Sequence, residues 1–126
     1  MNSICENEME AVKYINKTRE YLNYLEEHID NVRKAFCYIS EKCKDMYFIK
    51  NTDCYEVLKW DIINHDISKF SIQEFVPYRK SFYPISEYEK EKSNIKEAWS
   101  HHKRNNTHHY ETVETYEDII HMVIDW

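Results

Sequence analysis

The hydrophobic positions of this chain recur at helical spacings. Leu22, Leu25, Ile29, Val32, Phe36 and Ile39 follow one another every three or four residues, the mark of one helical face turned inward. A second helix is predicted from Asp53, an N-cap with Glu56 three residues on, through Val57, Leu58, Ile62 and His65. The string Ser71-Ile72-Gln73-Glu74 reads as a capping box opening a short third helix, which Pro77 should stop. Ser86-Glu87-Tyr88-Glu89, just after Pro84, begins a longer helix through Ile95, Ala98, Trp99 and His102. Thr115-Tyr116-Glu117-Asp118 starts the last, carrying Ile119, Ile120, Val123 and Ile124. Loops fall at residues 40–52, 82–85 and 105–114, with no repeat, low-complexity tract or linker. The pattern predicts one all-α domain over residues 1–126, a compact bundle of about five to six helices.

Composition narrows the function classes. A chain of 126 residues can bury roughly two thirds of its unfolded surface in one core. The 11 tyrosines predict an aromatic-rich core with hydroxyls at its edge. There is no glycine, which excludes Gly-rich phosphate loops and dinucleotide fingerprints. Any phosphate must be held by metal, side chains or helix ends. The net charge of -6 argues against a long nucleic-acid track, yet a few clustered cations could still serve a small phosphorylated ligand. No window approaches 18 apolar residues and the N-terminus lacks a signal-peptide pattern, so no membrane association and a cytoplasmic location are expected. Cys5, Cys37, Cys43 and Cys54 show no Cys-x-x-Cys spacing and read as reduced thiols. Richness in Ile, Lys, Asn and Tyr resembles an AT-rich bacterial or phage genome.

Histidines and acids carry the candidate chemistry. Four of seven histidines lie in the run Ser100-His101-His102-Lys103-Arg104-Asn105-Asn106-Thr107-His108-His109. A helix ending near Arg104 followed by a short loop can bring His102 and one of His108 or His109 to a single centre, while Lys103 and Arg104 could take phosphate oxygens. His65 shares a helix face with Leu58 and Ile62, and a metal could sit between it and Asp66 at the helix end. His28 stands beside the buried face of the first helix, and Asp118, His121 and Asp125 line one face of the last. Each group alone has an ordinary structural account: a packing histidine, a turn aspartate, a solvated face, a polar loop. Together they can converge, and imidazole and carboxylate are the ligands that hold catalytic metals. Asp125 is poorly placed for helix stability alone, because the C-terminal end of the macrodipole disfavours an anion and a bound cation reverses that sign. Trp126 is expected to anchor this end by burying its ring against an earlier helix.

With these residues in view, the chain resembles the HD-domain superfamily of metal-dependent phosphohydrolases. Those helical proteins present a first His, an adjacent His-Asp and a distant Asp around one or two metals. The match here is His28, His65-Asp66 and Asp125, and His65-Asp66-Ile67-Ser68-Lys69 resembles the His-Asp-x-x-Lys form in which lysine faces the substrate phosphate. The two-metal branch of that superfamily would recruit His102 and His108 or His109. More closely, the strings HDISKFS, EFVPYRKSFYP, EAWSHHKRNNTHH and MVIDW resemble an uncharacterised family of small bacterial and phage proteins over roughly residues 20 to 126. Members of that family are expected to continue in further helix past the equivalent of Trp126.

The resemblance implies a metal-dependent phosphohydrolase acting on a small nucleotide or related phosphate ester. Its ligands would be His28, His65, Asp66 and Asp125, with His102 and His108 or His109 completing a second site. Lys69 and Arg79 would neutralise the phosphate. Mixed nitrogen and oxygen ligation suits one or two ions of manganese, iron, cobalt, nickel or zinc. Phe75, Tyr78, Phe82 and Tyr83 are the expected pocket walls, and a homodimer is compatible with the sequence. Two rivals stand beside the enzyme: a protein of the same fold that captures a nucleotide without turnover, and a module that one zinc stabilises.

Overall fold

The computed structural model describes residues 3–126, with side chains from Met9 onward; Cys5 lies outside the described side chains. The described residues form seven helices and no strand: α1 (Ser3–Lys42), α2 (Tyr47–Lys50), α3 (Thr52–Ile63), α4 (Ile72–Phe82), α5 (Glu87–Glu91), α6 (Ile95–Asn105) and α7 (Tyr116–Asp125), with a 3₁₀ turn at Ile67–Phe70. The all-α expectation holds. No helix among the described residues is long and apolar enough to cross a membrane. Cys37, Cys43 and Cys54 are free thiols.

Helix α1 has 40 residues, about 60 Å at the helical rise. Its buried stripe runs Tyr21, Leu25, Val32 and Phe36, with His28 half-buried among them. Leu22, read as part of that stripe, is instead exposed, and Tyr21 holds the inward position. The spacing from Leu25 admits either residue, and tertiary packing selects the aromatic ring, which lies against Phe75 and Tyr83.

Several element boundaries differ from the sequence reading for identifiable reasons. Asn51, rather than Asp53, caps α3, its Oδ1 accepting from the Cys54 amide at 3.0 Å. The predicted loop at 40–52 folds a short turn, α2, that buries Phe48. The capping box at Ser71 does not form: the Ser71 hydroxyl donates to the Ser68 carbonyl, and Glu74 turns inward instead. Pro77 does not stop α4, which continues to Phe82. An interior proline costs about 3 kcal/mol, and burial of Tyr78 and Arg79 just beyond it offsets that loss. Ser86 caps as expected, but the helix breaks after Glu91 and restarts at Ile95, so one predicted helix is two. Of the predicted capping boxes, that of Thr115 and Asp118 alone forms reciprocally, opening α7. Trp126, expected to bury its ring, is 85% exposed.

Two apolar clusters organise the domain. Val32, Phe36, Phe48, Cys54, Leu58, Ile62 and Ile124 join the C-terminal half of α1 to α2, α3 and α7. Tyr21, Leu25, Tyr78 and Ala98 join the middle of α1 to α4 and α6. On α1 His28 falls between Leu25 of one cluster and Val32 of the other. His65 follows Ile62, Asp125 follows Ile124, and His102 lies one turn beyond Ala98. The polar layer is thereby set at the seam of the two cores.

Candidate metal centre

The chain leaves α3 through Asn64 and reaches His65 and Asp66, both 2% exposed. Asp66 adopts φ 56° and ψ 24°, the left-handed region, and is the one residue with positive φ among those described. That conformation costs an L-residue roughly 1–2 kcal/mol, and such strain gathers at functional sites. It lets two consecutive side chains address one point: Asp66 Oδ2 lies 3.1 Å from His65 Nε2.

Around this pair the other predicted ligands assemble. His28 Nε2 stands 3.1 Å from His65 Nε2 and 3.2 Å from Asp125 Oδ1, and His65 Nε2 stands 3.1 Å from the same Asp125 oxygen. On the other side of Asp66, its Oδ1 lies 3.2 Å from Nε2 of both His102 and His108. His109 joins this second set. One carboxylate therefore faces two imidazole sets, one with each oxygen. Ligand atoms about 2.1 Å from a shared ion lie roughly 3.0–3.4 Å apart at octahedral to tetrahedral angles, which matches these separations.

The hydrogen-bond account reinforces the fit. Asp66 Oδ1, Asp125 Oδ1, His108 Nε2 and His109 Nε2 are buried without a hydrogen-bond partner, although opposite charges stand close by. Buried polar atoms are ordinarily satisfied. Unpartnered acceptors converging on one volume suit a divalent cation, and these buried His and Asp groups could hold one.

Charge points the same way. Burial alone would raise the Asp66 carboxyl, but the imidazoles of His102, His108, His28 and His65 hold it far below the carboxylate range. Burial likewise opposes ionisation of Asp125, and His28 and His65 outweigh it. The two acids lift His28 to about 9. Burial, with His108 and His65 nearby, keeps His121 neutral by lowering it to about 3. His109 falls to about 4 for similar reasons.

Two residues outside the predicted ligand set support the site. Glu74, fully buried on α4, accepts from His102 Nδ1 through Oε1 at 2.6 Å and from His101 Nδ1 through Oε2 at 2.5 Å. His121 on α7 meets His65 Nδ1 through Nε2 at 2.8 Å. Both contacts fix the ring nitrogen opposite the one that faces Asp66, which sets tautomer and orientation. Asn106 adds a third restraint, donating to Ser68 Oγ at 2.7 Å and to the His102 carbonyl at 2.8 Å.

The family described as a family of unknown function, DUF5662, matches residues 17–126. The chain belongs to the DUF5662 family. No curated protein and no solved structure matches it. In this DUF5662 chain all seven predicted ligands, His28, His65, Asp66, His102, His108, His109 and Asp125, fall into the three overlapping ligand groups of the site.

The predicted cations separate. Lys69 reaches the site, with Nζ 3.0 Å from Asp66 Oδ2, and lines a cleft of about 570 Å³ above it. Arg79 does not: it is buried, held by both Glu89 oxygens and donating to the Tyr83 carbonyl. Lys103 lies over the Trp99 ring and pairs with Glu111, and Arg104 is exposed beside Ser100. Tyr78, Phe82 and Tyr83 line the cleft as expected, while Phe75 packs against Tyr21 instead.

Proposed function

We propose that the protein is a metal-dependent phosphohydrolase of the HD type, acting on a small nucleotide or related phosphate ester. The observation that carries this reading is Asp66, which faces one imidazole set with each carboxylate oxygen beside Lys69 at the floor of a cleft. His28, His65, Asp66 and Asp125 would hold one ion, and Asp66, His102 and His108, with His109 adjoining, a second. Manganese, iron, cobalt, nickel and zinc all accept such mixed nitrogen and oxygen ligation. A divalent ion bound here would polarise a phosphoryl group and lower the pKa of a water towards 7.

The chain's own residues supply the rest. Lys69 places a cation beside the carboxylates, where it would take a phosphoryl oxygen and balance charge developing in the transition state. Glu74 and His121 hold His102 and His65 in orientation, which limits reorganisation during reaction. The aromatic walls of the cleft restrict water around the reacting group.

The test is elemental analysis of untagged protein together with a phosphate-release screen over nucleotides and simple phosphate esters. Stoichiometric transition metal, lost in Asp66→Ala with helix content retained, and metal-dependent release of phosphate are expected. Metal without release from any ester would sink the enzymatic reading and leave a metal-stabilised or ligand-capturing protein.

A further inference from the structure

The cleft is lined by two kinds of side chain. His28, Asp66, Lys69, His102, His109 and Asp125 supply the polar groups, and aromatic rings supply the rest. Among the described residues Lys69 is the one lysine or arginine lining the cleft. Arg79 is buried against Glu89, and Lys103 is engaged with Trp99 and Glu111. Beyond the ligand sets, the cleft can therefore neutralise about one phosphate group. A second or third phosphate would lie against apolar rings, and an anion buried without a partner is strongly disfavoured.

The wall adds two observations. Tyr24 and Phe82 line the cleft yet remain 47% and 62% exposed, large ring surfaces left open at a cavity mouth. Tyr21 is the opposite case. Its ring is 2% exposed and packed on Phe75 and Tyr83, yet its hydroxyl has no hydrogen-bond partner. Burial, with Tyr78 and Glu74 nearby, raises that hydroxyl above the ordinary tyrosine value, so it stays protonated and able to donate. An orphaned buried hydroxyl is costly to folding, and this one belongs to a cleft-lining residue.

We propose that the cleft takes a phosphate monoester whose alcohol carries a planar ring, with a nucleoside monophosphate as substrate. Its phosphate lies at Lys69 and the ligand sets, its base on Tyr24 and Phe82, and one of its polar atoms on the Tyr21 hydroxyl. For its chemistry this rests on the phosphohydrolase reading and narrows it to monoesters. Water adds to phosphorus as the ester P–O bond breaks. The ester oxygen keeps the bonding pair and takes a proton from the water, releasing nucleoside and inorganic phosphate.

Protein loaded with Mn²⁺ is given a nucleoside monophosphate, the matching di- and triphosphates and glycerol phosphate. Phosphate release and calorimetric binding are read in parallel. The monophosphate is expected to exceed the other compounds in kcat/KM by about tenfold or more, as expected for one good stacking contact. Tyr21→Phe should keep its metal and melt no lower than the parent, yet lose about tenfold in kcat/KM, the worth of one hydrogen bond. Tyr24→Ala should raise KM about tenfold and erode the preference over glycerol phosphate. Preference for the triphosphate or for glycerol phosphate overturns the inference while the phosphohydrolase reading stands. Binding of the monophosphate without release from any compound supports the ligand class and overturns the phosphohydrolase reading. Absence of monophosphate binding overturns the inference, and undiminished kcat/KM in Tyr21→Phe removes Tyr21 from it.

Discussion

Oε1 of Glu74 lies 2.6 Å from Nδ1 of His102, across 28 residues of sequence. The carboxylate is fully buried, and its second oxygen holds His101 in the same way. A carboxylate so placed fixes the ring and aims Nε2 of His102 at Asp66. Glu74→Ala is therefore expected to weaken metal binding by about 10–100-fold, and Glu74→Gln, which keeps the volume, by less. Competition titration against a chromophoric chelator measures this directly. An affinity equal to the parent's would reduce Glu74 to a packing residue.

The candidate ligands were legible in the sequence because imidazole and carboxylate carry coordination chemistry whatever the fold. The supporting contacts were not, because each competes with a plausible local reading. Glu74 stands three residues after Ser71 and looks like half of a capping box, yet its partners lie on α6. At Thr115 the same pattern does form its box, since Asp118 has no distant imidazole to serve. Tyr21 and Leu22 differ by one step in helical phase, and packing decided between them. Pro77 speaks for a helix end, and the burial of the residues beyond it overrides that signal.

Lys69 should act on substrate rather than on metal. It sits on the 3₁₀ turn after Asp66, on the cleft wall, and offers no ligand atom to a cation. Lys69→Ala is expected to retain its metal and lose about 2–4 kcal/mol of transition-state stabilisation, comparable to removing one preorganised donor. Steady-state kinetics alongside elemental analysis separates the two quantities. Loss of metal in this variant would move Lys69 from substrate to scaffold.

Asp118 ties stability to pH away from the ligands. Burial works against its charge, but Thr107 Oγ1 donates to Oδ1 at 2.5 Å, and the amides of Glu114 and Thr115 donate to Oδ2 at 3.1 and 3.2 Å. Its folded pKa is consequently lowered. The unfolded chain, with an aspartate near 3.9, takes up this proton first, so the contribution is complete above about pH 3.9. It is lost as pH falls through the lower folded value. Asp118→Asn is expected to cost about 1 kcal/mol at neutral pH, a typical cap loss, and to show a shallower decline in acid. Parallel denaturant curves from pH 7 down to 3 test it, and identical acid slopes would contradict the assignment.

Arg79 provides the sharpest contrast between the sequence reading and the fold. A cation near a phosphate site could be a substrate ligand, but this one is 7% exposed, with both Glu89 oxygens on its guanidinium and the Tyr14 ring alongside. Glu89 in turn accepts from the Ile85 amide, so the pair ties α4 to the turn that precedes α5. Removing one member of a buried pair strands the other charge, at a cost of about 3–5 kcal/mol, whereas replacing both with apolar side chains of similar volume is often close to neutral. Arg79→Ala should therefore unfold at much lower denaturant, and Arg79→Met with Glu89→Leu should recover most of that loss. The double variant should also retain its metal and its activity, because neither residue lines the cleft. Activity lost in a stable double variant would return Arg79 to the phosphate-binding role that the sequence alone suggests.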